Sequence, residues 1–190
     1  AWPQPASAPA LSFRLPARQS ALALAQSGGA GPWAAVTVNA AVPLKQPLFA
    51  GYKLEKSVSV IERQVPGRLS RGDVLRIRIT VEASAERNWV VVSDPVPPGA
   101  TIVGGLGGQS QLLAAAASAG EGVQPSYVER GQDAWRGYFA WVPRGRFTVD
   151  YAVRLNGVGR FALPPTRVEA LYAPDIRAAI PNSPIAVGFR

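Results

Sequence analysis

An all-β fold, an antiparallel β-sandwich, is what this sequence predicts, and three observations predict it. Short runs alternate apolar with polar side chains at the period of two that a half-buried strand requires. Gly (19 residues) and Pro (18) are abundant in a chain of 190 and fall between those runs, where turns belong. Seven or eight such runs lie between residues 48 and 190, enough for two packed sheets. A composition of 47% hydrophobic and 17% charged residues fits a globular chain with a real core.

Residues 1–45 read as a small separate β segment. Its pieces are Leu11–Leu15, Ala21–Ala25 and Trp33–Val38, the last two joined by the turn Gly28–Pro32. So few strands bury too little surface to offset chain entropy, so they need a partner sheet. The linker Val42–Pro47 leads into residues 46–190, which read as one sandwich domain.

Within that domain Tyr52–Val60 opens the series, with Leu54, Val58 and Val60 on one face. After the turn Pro66-Gly67, Asp73–Val81 is the clearest strand: Leu75, Ile77, Ile79 and Val81 face inward, Arg76, Arg78 and Thr80 outward. The unbroken run Asn88–Ser93 predicts burial on both faces. Ala100–Val103 follows a proline pair, and residues 109–118 carry the propensity for one short helix ended by Gly120. The glycine-rich loop Gly104-Gly-Leu-Gly-Gly108 lacks the Lys-Ser/Thr and the βαβ context of a phosphate loop.

Ser126–Glu129 begins the second half. Ala134–Val142 and Phe147–Leu155, separated by Pro143-Arg-Gly145, read as a hairpin. Trp135, Phe139 and Trp141 share one face of the first strand, opposite Phe147, Val149, Tyr151, Val153 and Leu155. They read as sandwich core rather than as a sugar platform. Pro164 and Pro165 then stop the chain before an alternating stretch, Thr166, Val168, Ala170 and Tyr172, closed by Pro174. Leu171 breaks that alternation by falling on the face of Arg167 and Glu169, and reads as a satellite packing contact or a docking point. Asp175–Ser183 reads as a loop and Ile185–Phe189 as the last strand.

The chain has no Cys and no His, which removes disulfides, thiolate metal sites and the usual catalytic triads. Twelve carboxylates remain, and none stands out as a glycosidase pair: Glu129 and Asp133 flank a turn and Asp150 lies on a polar strand face. No cofactor, metal or catalytic residue is expected. The net charge of +8 is spread along the chain, so a nucleic-acid partner is not expected, and Arg76 and Arg78 read as a solvated or partner-facing basic face. No signal peptide or apolar spanning run is present, and no Met occurs. The expectation is a soluble chain excised from a longer one.

Three stretches together carry a resemblance: Trp135–Gly145, Tyr151–Pro165 and Val168–Pro174. They are similar to the C-terminal domain of bacterial α2-macroglobulins, over about residues 48–190. The resemblance implies a macroglobulin-type sandwich at 46–190 and, at 1–45, the returning part of a CUB-like domain. It implies a non-catalytic part of a protease-trapping inhibitor in the periplasm or cell envelope, its parent lipid-anchored. Leu171, Tyr172 and Pro174 match the segment that packs over the thioester in that family, with Glu169, Pro164 and Pro165 in support, and for Leu171 and Tyr172 to project together the resemblance implies a bulge or strand end there. Expected partners are the thioester and macroglobulin domains of the same parent chain, target proteases through the parent, and a penicillin-binding protein. The alternative from another class is a stand-alone extracytoplasmic β-sandwich that binds glycan or an envelope protein, and a third reading is a cryptic glycosidase.

Overall fold

The computed structural model describes residues 43–103 and 123–190, with residues 12, 14, 23, 25, 29, 36 and 37 before them. The chain divides into two units, Ala1–Ala41 and Val42–Arg190. Most of the strands predicted at 11–15, 21–25 and 33–38, and all of the helix at 109–118, lie outside the described residues.

Among the described residues twelve strands follow one another: β1 Leu48–Ala50, β2 Tyr52–Glu62, β3 Val74–Ala83, β4 Arg87–Pro95, β5 Thr101–Val103, β6 Tyr127–Arg130, β7 Ala134–Val142, β8 Gly145–Arg154, β9 Gly159–Phe161, β10 Thr166–Ala170, β11 Ala173–Ile180 and β12 Ile185–Val187. They exceed the predicted seven or eight because several are only three residues long. Six pair in the order β1-β11-β10-β4-β7-β6, four as β2-β3-β8-β5, and β12 with β9. All these pairings are antiparallel.

The core lies between the two larger sheets. Leu75, Ile77, Ile79 and Val81 of β3 point into it, as their spacing predicts, and meet Val90 and Val92 of β4 and Val168 and Ala170 of β10. The chain moves from the six-stranded to the four-stranded sheet between β1 and β2, and Gly51 makes that corner at φ 84°. A second fastening holds the β2–β3 connection: buried Asp73 accepts hydrogen bonds from Gln64 N (2.7 Å), Ser70 N (3.0 Å) and Ser70 Oγ (3.1 Å).

β7 and β8 are not a hairpin. β7 pairs with β4 and β6 in one sheet, β8 with β3 and β5 in the other, so residues 143–144 form a corner between sheets. Their aromatic faces still meet, across the core rather than side by side. Trp135 stacks on Tyr151 with centroids 5.1 Å apart, and Phe139 tilts against Phe147 at 5.3 Å. Large rings on both strands fill the space between sheets, which two neighbours within one sheet would leave empty.

Trp141 leaves that stripe. The alternation of β7 slips after Phe139, Val142 takes the inward place, and Trp141 turns out to solvent. β4 is likewise buried on both faces only over Val90–Val92, while Asn88 and Trp89 are exposed. Residues predicted as loop from Asp175 form most of β11, where Ile176, Ala178 and Ile180 alternate with Asp175, Arg177 and Ala179. Arg76 and Arg78 face outward as predicted but are paired rather than free. The Asp150 carboxylate, itself shielded from solvent, accepts from Arg76 Nε at 3.2 Å and Arg78 Nε at 3.0 Å.

Candidate functional site

The alternating stretch after Pro165 ends sooner than its pattern predicts. Thr166, Val168 and Ala170 are buried, Arg167 and Glu169 lie on the other face, and the strand stops at Ala170. Leu171 and Tyr172 form the two-residue turn between β10 and β11, where Ala170 pairs with Ala173. The register then shifts, since Glu169 pairs with Arg177, which leaves Pro174, Asp175 and Ile176 as a bulge in β11. Proline has no N–H to offer a ladder, so the bulge is where Pro174 fits.

That geometry explains why Leu171 violates the alternation: a turn residue has no strand face to obey. Leu171 is 48% exposed and Tyr172 82%, so two large side chains stand at the tip of a hairpin whose base is core. The tip is tied down on one side by the Leu171 amide, which donates to the Trp89 carbonyl at 2.8 Å. Trp89 has φ 54°, a left-handed conformation in which a bulky side chain is rare, and is itself 51% exposed. Pro164 is exposed and Pro165 half-buried in the approach to β10. Pro164 acts through its carbonyl, which accepts from Asn182 Nδ2 at 2.6 Å. Sequence reasoning missed Trp89, because a left-handed Trp leaves no trace in composition or spacing.

A second cluster was also missed, inside the domain. Asp94, at the end of β4, has no solvent-exposed side-chain surface, and Lys56 of β2 reaches its Oδ1 at 2.7 Å with only 9% of its own side chain exposed. Tyr151 of β8 donates to Asp94 Oδ2 at 2.5 Å, and the Thr166 hydroxyl of β10 donates to Oδ1. Lys56 also donates to Asn182 Oδ1 at 3.1 Å. Burial, then the charge and hydrogen bond of Asp94, push the Tyr151 hydroxyl well above the ordinary tyrosine range. The signal for this cluster was present in β2: Lys56 shares the parity of the inward-facing Tyr52 and Leu54. A lysine on an apolar face needs a buried partner.

The remaining carboxylates that sequence had flagged are engaged with bases. Glu129 and Asp133 both bind Arg136, at 2.9 and 2.6 Å. Among the described residues no group of His, Cys, Asp or Glu is placed to hold a metal ion. Of the aromatic stripe, only Trp141 could meet a ligand, since Trp135 and Phe139 are core.

The sequence profile of the bacterial alpha-2-macroglobulin MG10 domain matches residues 51–175. The chain belongs to this family. The MG10 match runs from the corner glycine through the Leu171–Tyr172 tip and its bulge. Solved structures agree in fold. Native alpha-2-macroglobulin from Escherichia coli, from domain MG7 to the C-terminus, superposes with TM-score 0.61 at 20% identity, over 77% of this chain and 25% of that one. A Salmonella alpha-2-macroglobulin carrying a tyrosine-to-glycine substitution gives 0.61 at 21%, over 75% and 10%. Trypsin-activated alpha-2-macroglobulin from Escherichia coli gives 0.61 at 20%, over 75% and 11%. The chain thus spans a quarter or less of the length of these structures. Comparison with curated proteins finds no match.

Proposed function

We propose that this MG10 domain is the C-terminal, non-catalytic part of a periplasmic protease-trapping macroglobulin, and that the Leu171–Tyr172 tip shields the thioester of the parent. One observation carries the reading: a Tyr that is 82% exposed stands at the tip of a rigid, family-matched hairpin. An aromatic side chain so presented has apolar surface to bury and little chain entropy left to lose. A docked ring of this kind excludes water from a reactive acyl bond. Pro174 lies in the bulge just after the ring and Glu169 pairs with Arg177 at its base, while Pro164 and Pro165 set the entry to β10.

On this reading residues 1–45 are the returning part of a CUB-like domain, residues 46–190 the macroglobulin domain, and the parent is anchored in the cell envelope by lipid. The partners are the parent's own thioester and macroglobulin domains, and proteases that cut the parent, with a penicillin-binding protein beside it. Alpha-2-macroglobulins that the chain is similar to were activated by trypsin and by porcine elastase, which supports proteases as the target class.

The test is methylamine uptake by the full-length parent. Burying most of a Tyr contributes about 1.5–3 kcal/mol, so Tyr172→Gly is expected to speed uptake about 10- to 100-fold. Trp141→Ala, a surface change on another strand, is expected to leave the rate as it is. An unchanged rate in Tyr172→Gly, or a parent that takes up no methylamine, overturns the shielding role.

A further inference from the structure

The Lys56–Asp94–Asn182 cluster holds the reactants of a covalent bond. Lys56 offers a primary amine and Asn182 a carboxamide, and Nζ stands 3.1 Å from Asn182 Oδ1, one bond from the carbonyl carbon. The same Nζ is 2.7 Å from Asp94 Oδ1, in a site where the carboxylate has no exposed surface. Thr166 hydrogen-bonds that same oxygen and accepts from Asn182 Nδ2 at 3.1 Å. A continuous hydrogen-bonded path therefore leads from the lysine ammonium, through Asp94 and Thr166, to the nitrogen that would have to leave. Tyr151 holds the other carboxylate oxygen at 2.5 Å and so keeps Oδ1 aimed at Lys56.

We propose that Lys56 and Asn182 join in an intramolecular isopeptide bond, with Asp94 and Thr166 relaying protons. The Lys56 ammonium gives a proton to Asp94, and the lone pair of the neutral amine attacks Cγ of Asn182. Thr166 Oγ1, 3.3 Å from Asn182 Oδ1, is within reach of the oxyanion that forms. The Cγ–Nδ2 bond breaks as a proton arrives at Nδ2 by the Asp94–Thr166 path, releasing ammonia. The second proton lost by Nζ goes to that ammonia, which departs as ammonium, and Asp94 ends as the carboxylate it began as. No oxidant, reductant or co-reactant is needed.

Holding amine and amide in contact favours the reaction, because it replaces a bimolecular encounter with a unimolecular step, worth many powers of ten in rate. The bond would tie β2 of the four-stranded sheet to the segment after β11 of the six-stranded sheet, residues 126 positions apart. Almost the whole domain would then be closed into one loop.

Intact-mass spectrometry of the full chain, after prolonged incubation at neutral pH, tests the proposal. The expected mass is lower than that of the sequence by one ammonia, and proteolysis is expected to yield a branched peptide joining Lys56 to Asn182. Asn182-Ser183 could lose ammonia by closing a succinimide on its own backbone, but that product gives only linear peptides and needs no lysine. Lys56→Arg keeps a positive charge beside Asp94 without a nucleophilic amine and is expected to restore the full mass, as is Asn182→Ala. A wild-type chain of full mass with linear peptides only overturns the proposal. So does a mass deficit that survives in Lys56→Arg.

Discussion

Gly51 shows how one residue sets the course of the chain. At φ 84° it lets the backbone leave β1 in one sheet and enter β2 in the other, and Ile176 packs against it. A Cβ placed there would lie 2.8 Å from Ile176 Cγ2, closer than carbon atoms approach. Gly51→Ala thus meets two costs: about 1–2 kcal/mol for a left-handed alanine and about 1–3 kcal/mol for overpacking. The expected outcome is a loss of about 2–5 kcal/mol in urea unfolding with the fold unchanged. Gly67→Ala is the control, because it too has positive φ (79°) but nothing lies within 4 Å of its added Cβ. If both variants lose the same stability, the contact with Ile176 has no weight.

At the scale of the strand, β7 carries two kinds of aromatic residue that its sequence does not distinguish. Phe139 and Trp141 have the same parity, yet Phe139 packs against Phe147 in the core and Trp141 is 52% exposed. Phe139→Ala is expected to cost about 3–5 kcal/mol, and Trp141→Ala to stay within about 0.5 kcal/mol, both by urea unfolding. Equal losses would place the two rings on one face after all. The difference arises where β7 runs beside Trp89 of β4, whose left-handed backbone interrupts the regular pleat. Alternation in β3 was legible because β2 and β8 pair with it in unbroken register from Leu75 to Val81 and the same parity stays inward over that stretch. It failed in β7 because the cause lies in a neighbouring strand. The β7–β8 connection was misread for a related reason: a short turn flanked by alternating strands looks alike whether the strands pair beside each other or face each other across a core. At the tip, the break in pattern at Leu171 was legible, and its conversion to a two-residue turn followed by a bulge was not. Only the pairing partner β11 reveals it.

At the scale of the whole domain, the two sheets are joined by apolar packing and, at one place, by the polar cluster on Asp94. Tyr151 belongs to the four-stranded sheet and Asp94 to the six-stranded one, so their 2.5 Å hydrogen bond crosses the core. Its hydroxyl is held well above the ordinary tyrosine range by burial and by the neighbouring carboxylate. A group whose pKa is higher folded than unfolded adds stability that is fully present below the unfolded value, about 10 for tyrosine. That stability is lost as pH rises further, because the unfolded chain ionises while the folded one keeps its proton. Tyr151→Phe keeps the stack on Trp135 and removes the hydroxyl. At neutral pH the variant is expected to lose about 1–3 kcal/mol, since Asp94 loses a donor inside the core. Above pH about 10 the gap between wild type and variant is expected to narrow, because the variant has no phenol to ionise on unfolding. Urea unfolding at pH 7 and at successive steps above 9.5 measures that gap directly. A gap that stays constant or widens with pH would mean that the Tyr151 hydroxyl is not held by Asp94 in the folded domain.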